Sequence, residues 1–198
     1  MAGFNKRFTV EQIDSYGTTA TVWDDLRVPM TSTSKGGSKD PDFEVIRDNG
    51  SSSQGIFAEQ FSNSTEQELY FVVQLPHNYK LGTNLHPHVH WLVDSAPAGG
   101  TTVRWGLEYS LVNIGDAMPE STIIYITAED PVTQYKHILS EFPAIDCSSI
   151  NNISTMLVCR IFRDVANDDF ADDAALLEFD FHYEIDSIGS DGELVKRY

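Results

Sequence analysis

From residue 55 onward, apolar and polar residues alternate with period two in one segment after another. That period places successive side chains on opposite faces of a strand. Eight segments carry it, at 55–61, 68–75, 84–94, 102–114, 121–128, 134–142, 154–165 and 175–185. In the second, Leu69, Phe71, Val73 and Leu75 share a face. In the third, Leu85, Pro87, Val89, Trp91 and Val93 lie opposite His86, His88 and His90. In the fourth, Val103, Trp105, Leu107, Tyr109 and Leu111 point inward, and Arg104, Gly106, Glu108 and Ser110 face away. The last sets Leu177, Phe179, Phe181, Tyr183 and Ile185 against Glu178, Asp180, His182, Glu184 and Asp186. About eight alternating strands joined by turn-rich loops predict an all-β fold, an antiparallel β-sandwich. Several segments reach 10 residues or more, which favours a jelly roll. Pro87 cannot donate to a ladder, so its strand is expected at an edge or bulged there.

The pattern changes upstream. Residues 24–55 are rich in Ser, Gly, Asp and Thr and poor in large apolar residues. Such a stretch buries little surface of its own, and a structureless run of this length is unusual inside a compact domain. It is expected to be an extended arm lying on a neighbour, which divides the chain into an N-terminal segment and arm (1–54) and a jelly-roll domain (55–198). Thr9 and Gln12 form a capping-box pattern that predicts one short helix at 9–15. Trp23, just before the arm, is a candidate anchor at a subunit contact.

Charge narrows the partners. The formal charge is −17, from 30 acidic against 13 basic residues. This argues against bulk nucleic-acid binding, which needs phosphates neutralised by Lys and Arg, and against docking on anionic lipid. No window approaches 18 apolar residues, and the N-terminal stretch lacks the apolar run of a secretory signal, so a soluble protein made in a cytoplasm is expected. Cys147 and Cys159 form neither a disulfide framework nor a zinc-knuckle spacing, and Cys159 is expected in the core.

The histidine strand is the first candidate for chemistry. Two imidazoles on one strand face can hold a metal when a third ligand comes from a neighbouring strand. His86, His88 and His90 are therefore candidate ligands of a structural divalent metal, with Glu108, His182 and Glu184 as candidate partners. The alternative is a polar sheet face whose histidines pair with carboxylates across the ladder. Gly82 followed by His88-x-His90 resembles the first half of the cupin metal motif, over fewer than 20 residues. Asp94 stands where that family has glutamate, Gly99 and Gly100 are off register, and no second motif is found around His137 or His182. In the loop 163–175, Asp164, Asp168, Asp169, Asp172 and Asp173 suggest solvated acids or a calcium site without EF-hand spacing. No nucleophile elbow, phosphate loop or dinucleotide fingerprint occurs, so no catalytic residues are assigned. Trp91 and Trp105 fall on apolar faces and are expected in the core rather than on a sugar platform.

Four stretches taken together carry a wider resemblance: "DDLRVPMTSTSKGGSKDPDFEVIRDNGSSSQGIFAEQF", "ELYFVVQLPHNYKLGTNLHPHVHW", "WGLEYSLVNIGD" and "EFDFHYEIDSIGS". The chain resembles functionally uncharacterised proteins of tailed bacteriophages over roughly residues 24–190. That resemblance implies a virion structural protein, assembled in the host cytoplasm, and no enzyme. A capsid decoration (cement) protein contacting the major capsid protein is expected, as a homo-oligomer with a trimer favoured. A tail or neck component, a cupin-like metal-dependent enzyme and a carbohydrate-binding module are the alternatives.

Overall fold

The computed structural model describes residues 21–196. They form ten strands: β1 (Val22–Pro29), β2 (Asp42–Arg47), β3 (Ile56–Phe61), β4 (Glu68–Gln74), β5 (His86–Leu92), β6 (Thr102–Val112), β7 (Thr122–Glu129), β8 (Ile138–Glu141), β9 (Met156–Arg163) and β10 (Ala174–Ile185). β3 to β10 are the eight segments that the alternation marks out. Their first half pairs antiparallel with their second half in reverse order, β3 with β10, β4 with β9, β5 with β8 and β6 with β7. Such a chain is one long hairpin. Rolling it up adds the pairs β5–β10 and β6–β9 and closes two sheets, which is a jelly roll. One sheet runs β2-β3-β10-β5-β8, with β1 also on β10, and the other runs β4-β9-β6-β7.

The inward faces meet as the alternation predicts. Trp91 and Trp105 are completely enclosed, in edge contact with ring centroids 6.2 Å apart, and Phe61, Phe71, Phe179 and Phe181 pack around them. Burying each such side chain contributes about 1.5–3 kcal/mol. The Trp91 indole N–H donates to Ser140 Oγ at 3.0 Å, so its polar atom is satisfied inside the core. Cys159 and Cys147 are buried free thiols.

Three expectations need correction. The stretch 24–55 is not an arm that leaves the fold. β1 pairs with β10 along its whole length, from Val22 opposite Ile185 to Pro29 opposite Glu178, and β2 forms a hairpin with β3 across the expected boundary at 54/55. Composition reports side-chain burial, whereas these strands are held largely by backbone hydrogen bonds, with Val28 and Ile46 their buried apolar residues. Pro87 lies in an interior strand, between β10 and β8, and its register is regular. Its carbonyl accepts from the Phe142 N–H at 2.9 Å, so the missing donor faces the chain just past the end of β8. Leu177 does not join the core. The register shifts between Leu176 and Glu178, so Leu176 points inward and Leu177 packs outside with Ile46, Ala58 and Leu92. The short helix expected at 9–15 lies outside the described residues. Among the described residues, no helix is long and apolar enough to cross a membrane.

Candidate functional site

β10 runs between β1 and β5, and their outward residues fall into three rows. Asp25 stands opposite His182, which stands opposite His86. Arg27, Asp180, His88 and Glu141 form the second row. Pro29, Glu178, His90 and Leu139 form the third. The inward residues of the same strands are core aromatics and aliphatics, so packing fixes which way each histidine points.

Every histidine in this grid has a polar neighbour. His90 Nε2 is 3.1 Å from Asp180 Oδ2, and its Nδ1 is 2.8 Å from His137 Nε2. His86 Nδ1 is 3.3 Å from Glu141 Oε1, and the Trp23 ring stands edge-on to His86 at 5.2 Å. Trp23 is 47% exposed and thus adjoins the histidine face. His182 Nε2 is 3.1 Å from Asp25 Oδ1 and 3.7 Å from Asp180 Oδ2, and its ring tilts over that of His88 with centroids 4.0 Å apart. Arg27 donates through Nε and Nη2 to Glu178 at 2.6 and 2.7 Å.

The centre of the grid is the least comfortable part. His88 and Asp180 are only 4% and 5% exposed. His88 Nδ1 and Asp180 Oδ1 are 3.3 Å apart, a long and poorly aligned contact, and neither atom has another partner. Unpaired buried polar groups are costly, about 1–3 kcal/mol each. Burial pushes the Asp180 carboxyl up, but His88, His90 and His182 outweigh burial and hold it below the usual carboxylate range. It is a carboxylate at neutral pH.

Ligand atoms of His88, Asp180 and His182 lie within 4.8 Å of one another, a set that could hold a metal ion. Of the six residues that the sequence nominates, His88 and His182 are brought together. His86 and His90 sit four residues apart on β5, about 13 Å along the strand, and cannot share an ion. The cupin-like pair His88-x-His90 is likewise split, because His90 turns toward His137. Glu108 lies on the other sheet, where it accepts from Arg160 Nε at 2.9 Å and Ser121 Oγ at 2.5 Å. Alternation says that a residue faces outward but not from which sheet. Glu184 is paired with Lys80 at 2.8 Å. Asp180 is the member of this set that sequence reasoning does not single out; its signal is the Asp-x-His pair on one face of β10, visible once β10 is known to adjoin β5.

The acidic loop is solvated only in part: Asp169, Asp172 and Asp173 are exposed, whereas Asp164 and Asp168 are held by arginines. Asp168 clamps the enclosed Arg163 with two bonds at 2.8 and 2.9 Å. Asp164 accepts from Arg104 Nε at 2.9 Å, and Asp169 accepts from the Thr102 N–H and hydroxyl.

A second polar feature occupies the outer face of the four-stranded sheet. It is an open cleft of about 420 Å³ lined by Glu68, Tyr70, Glu108, Ser121 and Arg160, among others. Arg160 bridges Glu68 at 2.5 Å and Glu108 at 2.9 Å, and the Tyr70 hydroxyl donates to Glu68 at 2.7 Å.

No protein-family model matches the chain, and no curated protein does. Among solved structures, it is similar to the CBM35 of Abf62 from Cellvibrio japonicus, at 8% identity and a TM-score of 0.40, covering 83% of this chain and 99% of that one. It is also similar to CBM27-1 of Caldicellulosiruptor saccharolyticus, solved in complex with mannohexaose, at 12% identity and a TM-score of 0.32, covering 82% and 95%. Likenesses this distant carry no functional argument.

Proposed function

We propose that the protein is a non-catalytic structural component of a bacteriophage virion, most simply a capsid decoration protein that works through its surfaces. The observation that carries this reading is the β2–β3 hairpin. Phe43, Val45 and Phe57 share one face of it by register, and Phe43 and Phe57 stack at 5.4 Å. By alternation, Phe57 points to the same side as Phe61, which is in the core, yet Phe43, Val45 and Phe57 are 59%, 41% and 44% exposed. A core-side apolar face left open on so acidic a chain marks a protein contact. The resemblance to proteins of tailed bacteriophages supports a virion partner. The major capsid protein is the partner proposed, with the molecule arranged as a closed homotrimer.

Mass-spectrometric copy number in purified particles of the encoding phage tests the reading. A copy number near that of the capsid subunit is expected. A few copies per particle would move the protein to the tail or neck, and absence from particles would overturn the virion role.

The cleft favours a second reading, carbohydrate binding. Tyr70 offers an aromatic ring, and Arg160, Glu68, Glu108 and Ser121 offer donors and acceptors beside it. Binding on a glycan array that is lost in Arg160→Ala would support this reading, and a silent array would remove it.

A further inference from the structure

We propose that His88, Asp180 and His182 bind one divalent transition-metal ion of the imidazole-preferring class, Zn²⁺ or Ni²⁺, on the outer face of the six-stranded sheet. The site is independent of the virion reading. Three observations converge on it. First, His88 Nδ1 and Asp180 Oδ1 are buried, face one another and have no polar partner other than each other. Secondly, their separation is 3.3 Å. Two donors of a tetrahedral site with bonds of 2.0–2.1 Å stand about 3.3 Å apart, so these atoms already have the spacing of one edge of the coordination tetrahedron. Thirdly, His182 completes a set whose ligand atoms all lie within 4.8 Å, and its ring, about one-third exposed, lies beside that of His88 at 4.0 Å.

The surroundings supply the rest of a metal centre. Asp25 Oδ1, 3.1 Å from His182 Nε2 and on a largely exposed side chain, stands at the mouth and can take the fourth position or hold a water there. His90 donates to Asp180 Oδ2 and is itself in contact with His137, so the carboxylate is oriented from behind as metal-ligating carboxylates generally are. Arg27, the cation closest in register, is engaged with Glu178. Two imidazoles with one or two carboxylates suit zinc, nickel or copper, whereas calcium and magnesium demand oxygen donors throughout. The ligands come from β5 and β10, and Asp25 from β1, so the ion would staple the N-terminal strand to the jelly roll.

The test uses tag-free full-length protein treated with chelator and dialysed, with ZnCl₂ as the only added ligand. Calorimetric titration is expected to give one ion per chain, and the melting temperature to rise by several degrees with Zn²⁺ and not with Ca²⁺. His182→Ala, at a partly exposed position, is expected to melt like the metal-free wild type and to bind at least tenfold more weakly; Asp180→Asn should do the same. His137→Ala should keep one-to-one binding. The proposal is overturned by a lack of saturable binding up to 1 mM Zn²⁺, or by wild-type affinity in His182→Ala and Asp180→Asn alike.

Discussion

Arg163 is completely enclosed, and all five of its N–H donors are used. Two meet the Asp168 carboxylate, and three meet the carbonyls of Phe61, Phe170 and Asp172. The side chain thus ties the end of β9 to the end of β3 and to the loop that leads into β10. Removing one partner of a buried pair strands the other, at a cost of about 3–5 kcal/mol. Arg163→Ala is expected to lower the urea midpoint accordingly, and Arg163→Lys to recover only part of the loss, since lysine lacks the planar fork. The two cysteines give a second test at this scale. Burial pushes Cys147 up to about 11 and Cys159 higher still. Neither thiol should react with iodoacetamide at pH 8 in the folded protein, and both should react in urea. The burial of Cys159 was readable from its place among apolar residues. The role of Asp168 was not, because a carboxylate in a loop looks solvated until the arginine that it clamps is known to be buried.

At the scale of elements, alternation locates a strand and its two faces but not its neighbours. It therefore marked β3 to β10 and, apart from Leu177, the inward residues named for them, and it placed His182 and Glu108 equally on polar faces. Strand order then separates them, since His182 adjoins β5 and Glu108 lies across the sandwich. β1 and β2 escaped detection because their side chains are mostly exposed, although their backbones pair as regularly as the others. One position on β6 shows how tightly an element constrains its neighbour. Gly106 stands opposite Phe162 on β9 and Tyr125 on β7, and the Phe162 ring lies over the glycine. A Cβ at residue 106 would come within 2.2 Å of that ring. Gly106→Ala should force the ring aside from Tyr125 and Arg160, which it contacts, and destabilise the protein by about 1–3 kcal/mol. A fall in melting temperature with the far-ultraviolet signal unchanged would be the sign of that repacking; an unchanged melting temperature would mean that the sheet yields there freely.

Over the whole molecule, two electrostatic effects oppose each other as pH falls. The net charge of −17 at pH 7 makes the folded chain repel itself, and mild acidification relieves this. Against it stands Arg160 on β9, which links Glu68 on β4 to Glu108 on β6 and so spans three of the four strands of its sheet. For Glu68, burial pushes the carboxyl up, but the Tyr70 hydroxyl and Arg160 outweigh it and leave it below the usual range. For Glu108, the Ser121 hydroxyl lowers it first, burial opposes, and Arg160 lowers it further. A carboxyl depressed by folding contributes stability that is fully present above its unfolded value of about 4.3 and is lost as pH falls through its lower folded value. The melting temperature should therefore rise from pH 7 to a maximum at about pH 5–6 and then drop steeply below about pH 4. Salt separates the two limbs. Adding 0.5 M NaCl should raise the melting temperature at pH 7, where dispersed repulsion is screened, and should change the acid limb little, because short partly buried pairs are screened less. Arg160→Met removes the stabilising partner of both glutamates, so the acid limb should become shallower while the rise from pH 7 to pH 6 persists. A profile that keeps its steep acid limb in Arg160→Met would place the acid-labile carboxylates elsewhere in the sandwich.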